Sequence, residues 1–297
     1  MSARYALPLA GLLLGCTAPS APPEEVAADA RQAWAATCKD WDDWDKAGPP
    51  FQVWGSTYYV GTCGISAILI TGDEGHILID GGPENAAGIV AANIEALGFK
   101  LSDVKLLLHS HEHHDHVAAL AELQRLTGAK LLASEAAAPV LASGEASGDD
   151  PQADIHERFP GAQVSGVVND LEPQRLGSLS LTPMATPGHT PGALSWHWQS
   201  CDGGDCLAIT YADSLSPVSS DSYRFSDHAA YLAAFRASLE RVAAMPCDIL
   251  LTPHPSASAM RERLLKGDLS AAPTCGDYAQ DIETRLDERL SEEAKTP

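Results

Sequence analysis

The chain is short of basic residues: 19 Lys and Arg stand against 40 Asp and Glu, giving a formal charge of −21. Nucleic-acid binding draws most of its strength from Lys and Arg neutralising phosphates, so no nucleic-acid partner is expected. No two cysteines have C-x-x-C spacing, so no cysteine zinc site is suggested. No short-period repeat is visible. The apolar stretch near the start, Ala6–Gly15, is too short to span a bilayer permanently. What remains is ordinary for a folded protein: 45% apolar and 20% charged residues in 297 positions, enough for one α/β domain or two smaller ones.

The first residues, MSARYALPLAGLLLGCTAPSAPPEE, carry one early basic residue (Arg4), the apolar stretch, then a small-residue and proline-rich tail. That is the layout of a secretory signal. Leu13-Leu14-Gly15-Cys16 resembles the bacterial lipobox, in which cleavage leaves the cysteine lipidated. A signal cut after Ala18 and a buried N-terminal helix are the alternatives. Export to the periplasm is expected, with a lipid on Cys16 as the possible membrane anchor. Beyond Cys16 an even set remains, Cys38, Cys63, Cys201, Cys206, Cys247 and Cys275, which an oxidising compartment would pair. Cys201 and Cys206 bracket the turn-like DGGD and suit a local bond; scattered buried thiols are the other reading.

From Pro50 the pattern is regular. Strand-like runs occupy 51–60, 65–71 and 76–80, and apolar residues at helical spacing cover 84–97 before Gly98. A mostly apolar strand at 104–108 precedes a helix at 117–126 and a short strand at 130–133. Residues 142–154 have little apolar content and read as an exposed loop. Strands resume at 163–168, 178–185, 193–198 and 207–211; a helix fits 229–244, a strand 248–251 and a closing helix 278–293. Strand-rich blocks and helices recur in similar order in both halves, which suggests two sheets packed face to face with helices outside.

The densest chemistry is HSHEHHDH at 109–116, at the end of the strand 104–108. In extended backbone His111 and His113 point to the same side and can share one metal ion. Asp115 and His116 lie where the chain should turn into the helix near Val117 and can serve a neighbouring position. A catalytic zinc site needs three protein ligands and an open position, so two more ligands must come from elsewhere. His189, in the stiff loop TPGHTPG (186–192), and His254, in TPHP (252–255), both follow strands and supply them.

HSHEHHDH, TPGHTPG, TPHP, the DGG at 80–82 and YADSLS at 211–216 together resemble the class B, subclass 3 metallo-β-lactamases, from about Phe51 to the C-terminus. H-x-H-x-D-H alone would indicate only the wider metallo-hydrolase superfamily. The resemblance implies an αββα sandwich of two mixed sheets in a single domain over 50–297, after a signal peptide at 1–15 and an extension at 16–49. It implies two Zn2+ ions: His111, His113 and His189 on the first, Asp115, His116 and His254 on the second. Ser214 and Ser216 would hold the substrate carboxylate. A metal-bridging hydroxide, oriented by Asp115, would open the amide bond of penicillins, cephalosporins and carbapenems and confer resistance. Asp80 reads as an outer residue orienting the metal loop or as a helix N-cap. The resemblance also implies a Cys247–Cys275 bond, with Cys38–Cys63 and Cys201–Cys206 completing the set; a monomer is expected.

His109, Glu112 and His114 read as supporting or solvent-facing, and His76, His156, His197 and His228 as structural. One rival is a hydrolase of the same fold, a glyoxalase II-like thioesterase or a lactonase, in which an aspartate such as Asp213 bridges the metals. Another is an exported zinc-binding protein without catalysis.

Overall fold

Apolar residues alternate along the strands in a way that demands two buried faces. Ile68, Ile70, Ile77 and Ile79 join one core cluster while Leu69 and Leu78, between them, join another. Successive side chains of a strand point to opposite faces, so this sheet is covered on both sides. The computed structural model describes residues 24–295; the expected signal segment 1–15 and Cys16 lie outside them.

Within the described residues one sheet holds seven strands: β1 (Phe51–Trp54), β2 (Thr57–Tyr59), β3 (Ile68–Gly72), β4 (Gly75–Ile79), β5 (Val104–Leu108), β6 (Lys130–Ser134) and β7 (Val164–Val168), in that order. Pairing is antiparallel from β1 to β4 and parallel from β4 to β7. The second sheet holds β8 (Gln174–Leu176), β9 (Leu179–Ala185), β10 (Leu194–Asp202), β11 (Asp205–Tyr211) and β12 (Ile249–Leu251), in the order β12-β11-β10-β9-β8. Here β11 and β12 run parallel and the other pairs antiparallel. Both sheets are therefore mixed.

The shared core joins inward residues of the two sheets, among them Phe51, Tyr59 and Leu108 from the first and Leu181, Trp196, Ile209 and Tyr211 from the second. Helices α2 (Ala87–Ala96), α4 (Leu120–Thr127) and α5 (Ala137–Ser143) cover the outer face of the first sheet. On the second, α6 (Ala229–Ala243) and α8 (Cys275–Glu293) pack over Leu250, numbered here with the one-turn α3 (His114–Val117) and with α7 (Met260–Lys266). This is the expected αββα sandwich. Among the described residues no helix is long and apolar enough to cross a membrane.

Several boundaries differ from expectation. The run 51–60 is a hairpin, because Gly55 turns the chain at φ +52° where a Cβ would meet Cys201 O at 2.5 Å. The closing helix begins three residues early, at Cys275, since Thr274 Oγ1 accepts from Asp277 N (3.2 Å) and Asp277 Oδ2 from Thr274 N (2.9 Å). Helices α5 and α7, seven residues each, carry too few turns to show a period. The segment ahead of Pro50 contains α1 (Glu24–Thr37), whose Trp34 and Ala35 enter the shared core and whose Gln32 Nε2 donates to Leu264 O (2.7 Å). In the structure Cys38 is bonded to Cys63, Cys201 to Cys206 and Cys247 to Cys275.

Candidate metal centre

The histidine-bearing loops meet because of strand direction. β9, β11 and β12 run the same way through the second sheet, so TPGHTPG, YADSLS and TPHP leave from one edge. HSHEHHDH leaves β5 of the first sheet and reaches the same edge: Leu194 N donates to Ser110 O (2.6 Å) and Trp196 Nε1 to His109 O (2.8 Å). The helix after the cluster starts at His114, three residues earlier than expected, with His113 still extended at its N-cap. That turn aims Asp115 and His116 at a second position while His111 and His113 keep the first.

Donor atoms of His111, His113 and His189 lie within 4.8 Å of one another. Each ring is oriented by a different acceptor. His111 Nδ1 donates to Asp213 Oδ1 (2.8 Å), His113 Nε2 to Asp150 Oδ2 (3.0 Å) and His189 Nδ1 to Ser216 O (2.9 Å). These bonds select tautomers that leave His111 Nε2, His113 Nδ1 and His189 Nε2 as the lone pairs available to a metal. Burial, with neighbouring imidazoles, holds His111 and His113 well below the usual histidine range, and burial pushes His189 down to about 4. Neutral imidazole is the form that binds metal.

The second group centres on Asp115 Oδ2, which lies 2.9 Å from His116 Nε2 and 3.5 Å from His254 Nε2. Burial opposes ionisation of Asp115, but His116 and His254 outweigh it and hold the carboxyl well below its usual range. Burial likewise opposes charge on His116 and is overcome by Asp115. Burial pushes His254 down to about 4. The donors fit a metal centre on chemical grounds: His111 Nε2 is buried without a hydrogen-bond partner, which a folded interior rarely tolerates, and imidazole with carboxylate suits zinc.

The supporting residues divide differently from expectation. Asp80 is no helix cap: it is fully buried, accepts from Ser110 N, Ser110 Oγ and Tyr211 OH at 2.7 Å each, and so fixes the residue before His111. Gly81 N and Gly82 N donate to His116 O (2.9 and 3.0 Å), and a Cβ on Gly81 would meet Leu123 at 2.7 Å, which explains DGG. Glu112 is buried rather than exposed and accepts from Thr190 Oγ1 (2.7 Å) and Gly192 N (2.8 Å), stitching the HSHEHHDH loop to the His189 loop. His109 is buried and accepts from Ser134 N through Nε2 (3.1 Å). His114 is half-buried with its Nδ1 3.2 Å from His156 Nδ1. Ser214 Oγ is buried and unpartnered, whereas Ser216 Oγ lies 3.1 Å from His189 Nδ1, where it orients that ring.

The loop 142–154, expected to be exposed, instead buries Asp150 beside the cluster, and His156 follows it there. Asp150, raised by burial to about 7, backs His113, and His156, read from sequence as structural, lays its ring 3.6 Å from the His113 ring. Nothing in a polar loop marks them, since only folding carries that loop over the cluster. Asp213 is fully buried behind His111, with Oδ1 on the ring nitrogen opposite the one that faces the centre.

A two-sheet sandwich with six histidine and aspartate side chains at one edge carries the donor set of a metal-dependent hydrolase. A family profile described as the metallo-beta-lactamase superfamily matches residues 60–204. The solved structure of the MIM-2 metallo-beta-lactamase is 57% identical and superposes with a TM-score of 0.86, covering 89% of this chain and 98% of that one. MEM-A1, a subclass B3 metallo-beta-lactamase isolated from a soil metagenome library, is 42% identical with a TM-score of 0.83, covering 86% and 100%. The hydroxyacylglutathione hydrolase of Methylococcus capsulatus is 28% identical over 193 residues, 60% of this chain and 63% of that protein. The chain thus spans less than two thirds of the length of such curated relatives. It belongs to the metallo-β-lactamase superfamily and, within it, to subclass B3.

Proposed function

We propose that this protein is a dizinc β-lactamase, opening the amide bond of penicillins, cephalosporins and carbapenems and so conferring resistance. His111, His113 and His189 would hold one zinc ion, and Asp115, His116 and His254 the other. Zinc bound there supplies a Lewis acid for the carbonyl and makes water a nucleophile at neutral pH. The chain contributes position. Asp115, gripped through Oδ2 and kept ionised, orients the attacking water. Ser214 Oγ, buried without a partner, is free to donate to the substrate carboxylate. Its backbone is held from behind, because Tyr278 OH on α8 donates to Asp213 O (2.9 Å) and to Ser214 O. Ser216, proposed with Ser214 to hold the substrate carboxylate, also supports His189 through its carbonyl oxygen and hydroxyl.

The observation that carries the choice of substrate class is Asp213. In the thioesterase reading this carboxylate bridges the two metals, whereas here it is spent on His111 Nδ1 (2.8 Å) and Leu215 N (3.3 Å), behind the cluster. The test is hydrolysis of a penicillin, a cephalosporin, a carbapenem, a glutathione thioester and a lactone by the purified protein, with chelator and with zinc restored. Zinc-dependent turnover of the lactams supports the reading. Turnover of only the thioester or the lactone replaces it, and bound zinc with no turnover points to a metal-binding protein. Export, lipidation of Cys16 and the monomeric state belong to the same proposal; mass spectrometry of the mature N-terminus and light scattering check them.

A further inference from the structure

The segment Lys39–Lys46, KDWDDWDK, takes no part in the chemistry above, yet it stands over the cluster. Trp41 is 70% exposed and Trp44 45% exposed. Their position is set through the backbone: Trp41 N donates to Ser256 Oγ (2.7 Å), Thr62 Oγ1 to Trp44 O (2.6 Å) and Cys63 N to Lys46 O (2.8 Å). The Cys38–Cys63 bond and the Lys46–Asp42 ion pair (2.6 Å) close the same segment. The indoles reach the site edge, Trp41 lying 6.3 Å from the His254 ring and Trp44 6.0 Å from His254 and 5.8 Å from His114. Residues 41–45 on one side and Pro83 and Asn85 on the other enclose an open cavity of about 480 Å³.

Two exposed indoles held at one mouth are a surface for binding, where scattered ones would need no explanation. The charge around them selects the occupant. No basic residue lines the cavity, Asp42 has its own lysine, and Asp45 accepts from the neutral amide of Asn85 (2.7 Å), which leaves its charge uncompensated beside that of Asp43. Aromatic faces with carboxylates are the surroundings that favour a weakly hydrated organic cation. We propose that this cavity is a substrate subsite for a positively charged substituent, a pyridinium or alkylammonium group remote from the bond that breaks. The inference rests on the β-lactam reading for the identity of the substrate.

The test uses the holoenzyme and two cephalosporins with the same acyl side chain, one with a neutral acetoxy group and the other with a quaternary pyridinium on the 3′ carbon. Dividing each variant's kcat/KM by the wild-type value cancels the intrinsic reactivity of the two substrates. Trp41→Ala/Trp44→Ala should lower the value for the pyridinium substrate about tenfold more than for the acetoxy one, mostly through KM. Asp43→Asn/Asp45→Asn, nearly isosteric at the surface, should do the same by a smaller factor that added salt reduces. Equal losses for both substrates, or none, overturn the subsite. Choline, a quaternary ammonium with no scissile bond, should shift the indole N–H resonances of Trp41 and Trp44 saturably. If it does while neither cephalosporin is hydrolysed, the cation site stands and the β-lactam reading falls; if it does not, the cation site is refuted.

Discussion

Glu112 stands between the two histidines His111 and His113, yet its carboxylate serves neither. It holds the neighbouring loop, and Glu112→Ala should show how much the metal centre depends on that stitch. The substitution removes the acceptor for Thr190 Oγ1 and Gly192 N, both buried, at 2.7 and 2.8 Å. Each orphaned buried group costs about 1–3 kcal/mol, so the metal-free protein should lose about 2–6 kcal/mol. His189 lies directly ahead of the two anchor points, one residue before Thr190 and three before Gly192, so its aim loosens as well. Removing an outer support of a ligand typically weakens metal binding about 10–100-fold. Glu112→Gln should recover most of the loss, because its oxygen still accepts from Gly192 N while its amide donates to the Thr190 hydroxyl, which is both donor and acceptor. Urea unfolding of the metal-free proteins and competition against a chromophoric chelator measure the two effects separately. An alanine variant within about 0.5 kcal/mol of the native protein that also binds metal as tightly would refute the reasoning.

Other outcomes follow from the same geometry. Asp150→Ala frees His113 Nε2 and should weaken metal binding about 10–100-fold with little change in fold, read by chelator competition and circular dichroism. Asp115→Ala and His189→Ala should each abolish nearly all lactam hydrolysis in a protein with an unchanged far-UV spectrum; normal turnover by either would sink the ligand assignment. Tyr211→Phe strips one donor from the buried Asp80 carboxylate and should cost about 1–3 kcal/mol in urea unfolding. The double variant Cys247→Ser/Cys275→Ser opens a loop of 28 residues and should lower stability by about 3.5 kcal/mol on the chain-entropy relation, while leaving α8 helical.

The sequence by itself determined the ingredients. Alternating Ile and Leu in 68–70 and 77–79 required a sheet buried on both faces, and HSHEHHDH with two proline-stiffened histidine loops announced six metal donors at strand ends, because ligand chemistry is carried by residue type and local spacing. The helices expected at 229–244 and 278–293 were legible for the same reason, whereas α1 and the capped start of α8 were not. Only the tertiary structure decided which nitrogen of each ring faces the centre, since Asp213, Asp150 and Ser216, the acceptors that set the tautomers, lie 102, 37 and 27 positions from their histidines. It decided that Asp213 stands behind His111 rather than between the two groups of donors, that Glu112 joins two loops, and that the segment after α5 brings His156 over His113. It also carried Trp41 and Trp44 to the rim, although they precede every strand. Such pairings depend on how two sheets and their loops close in space, which no local period or spacing encodes.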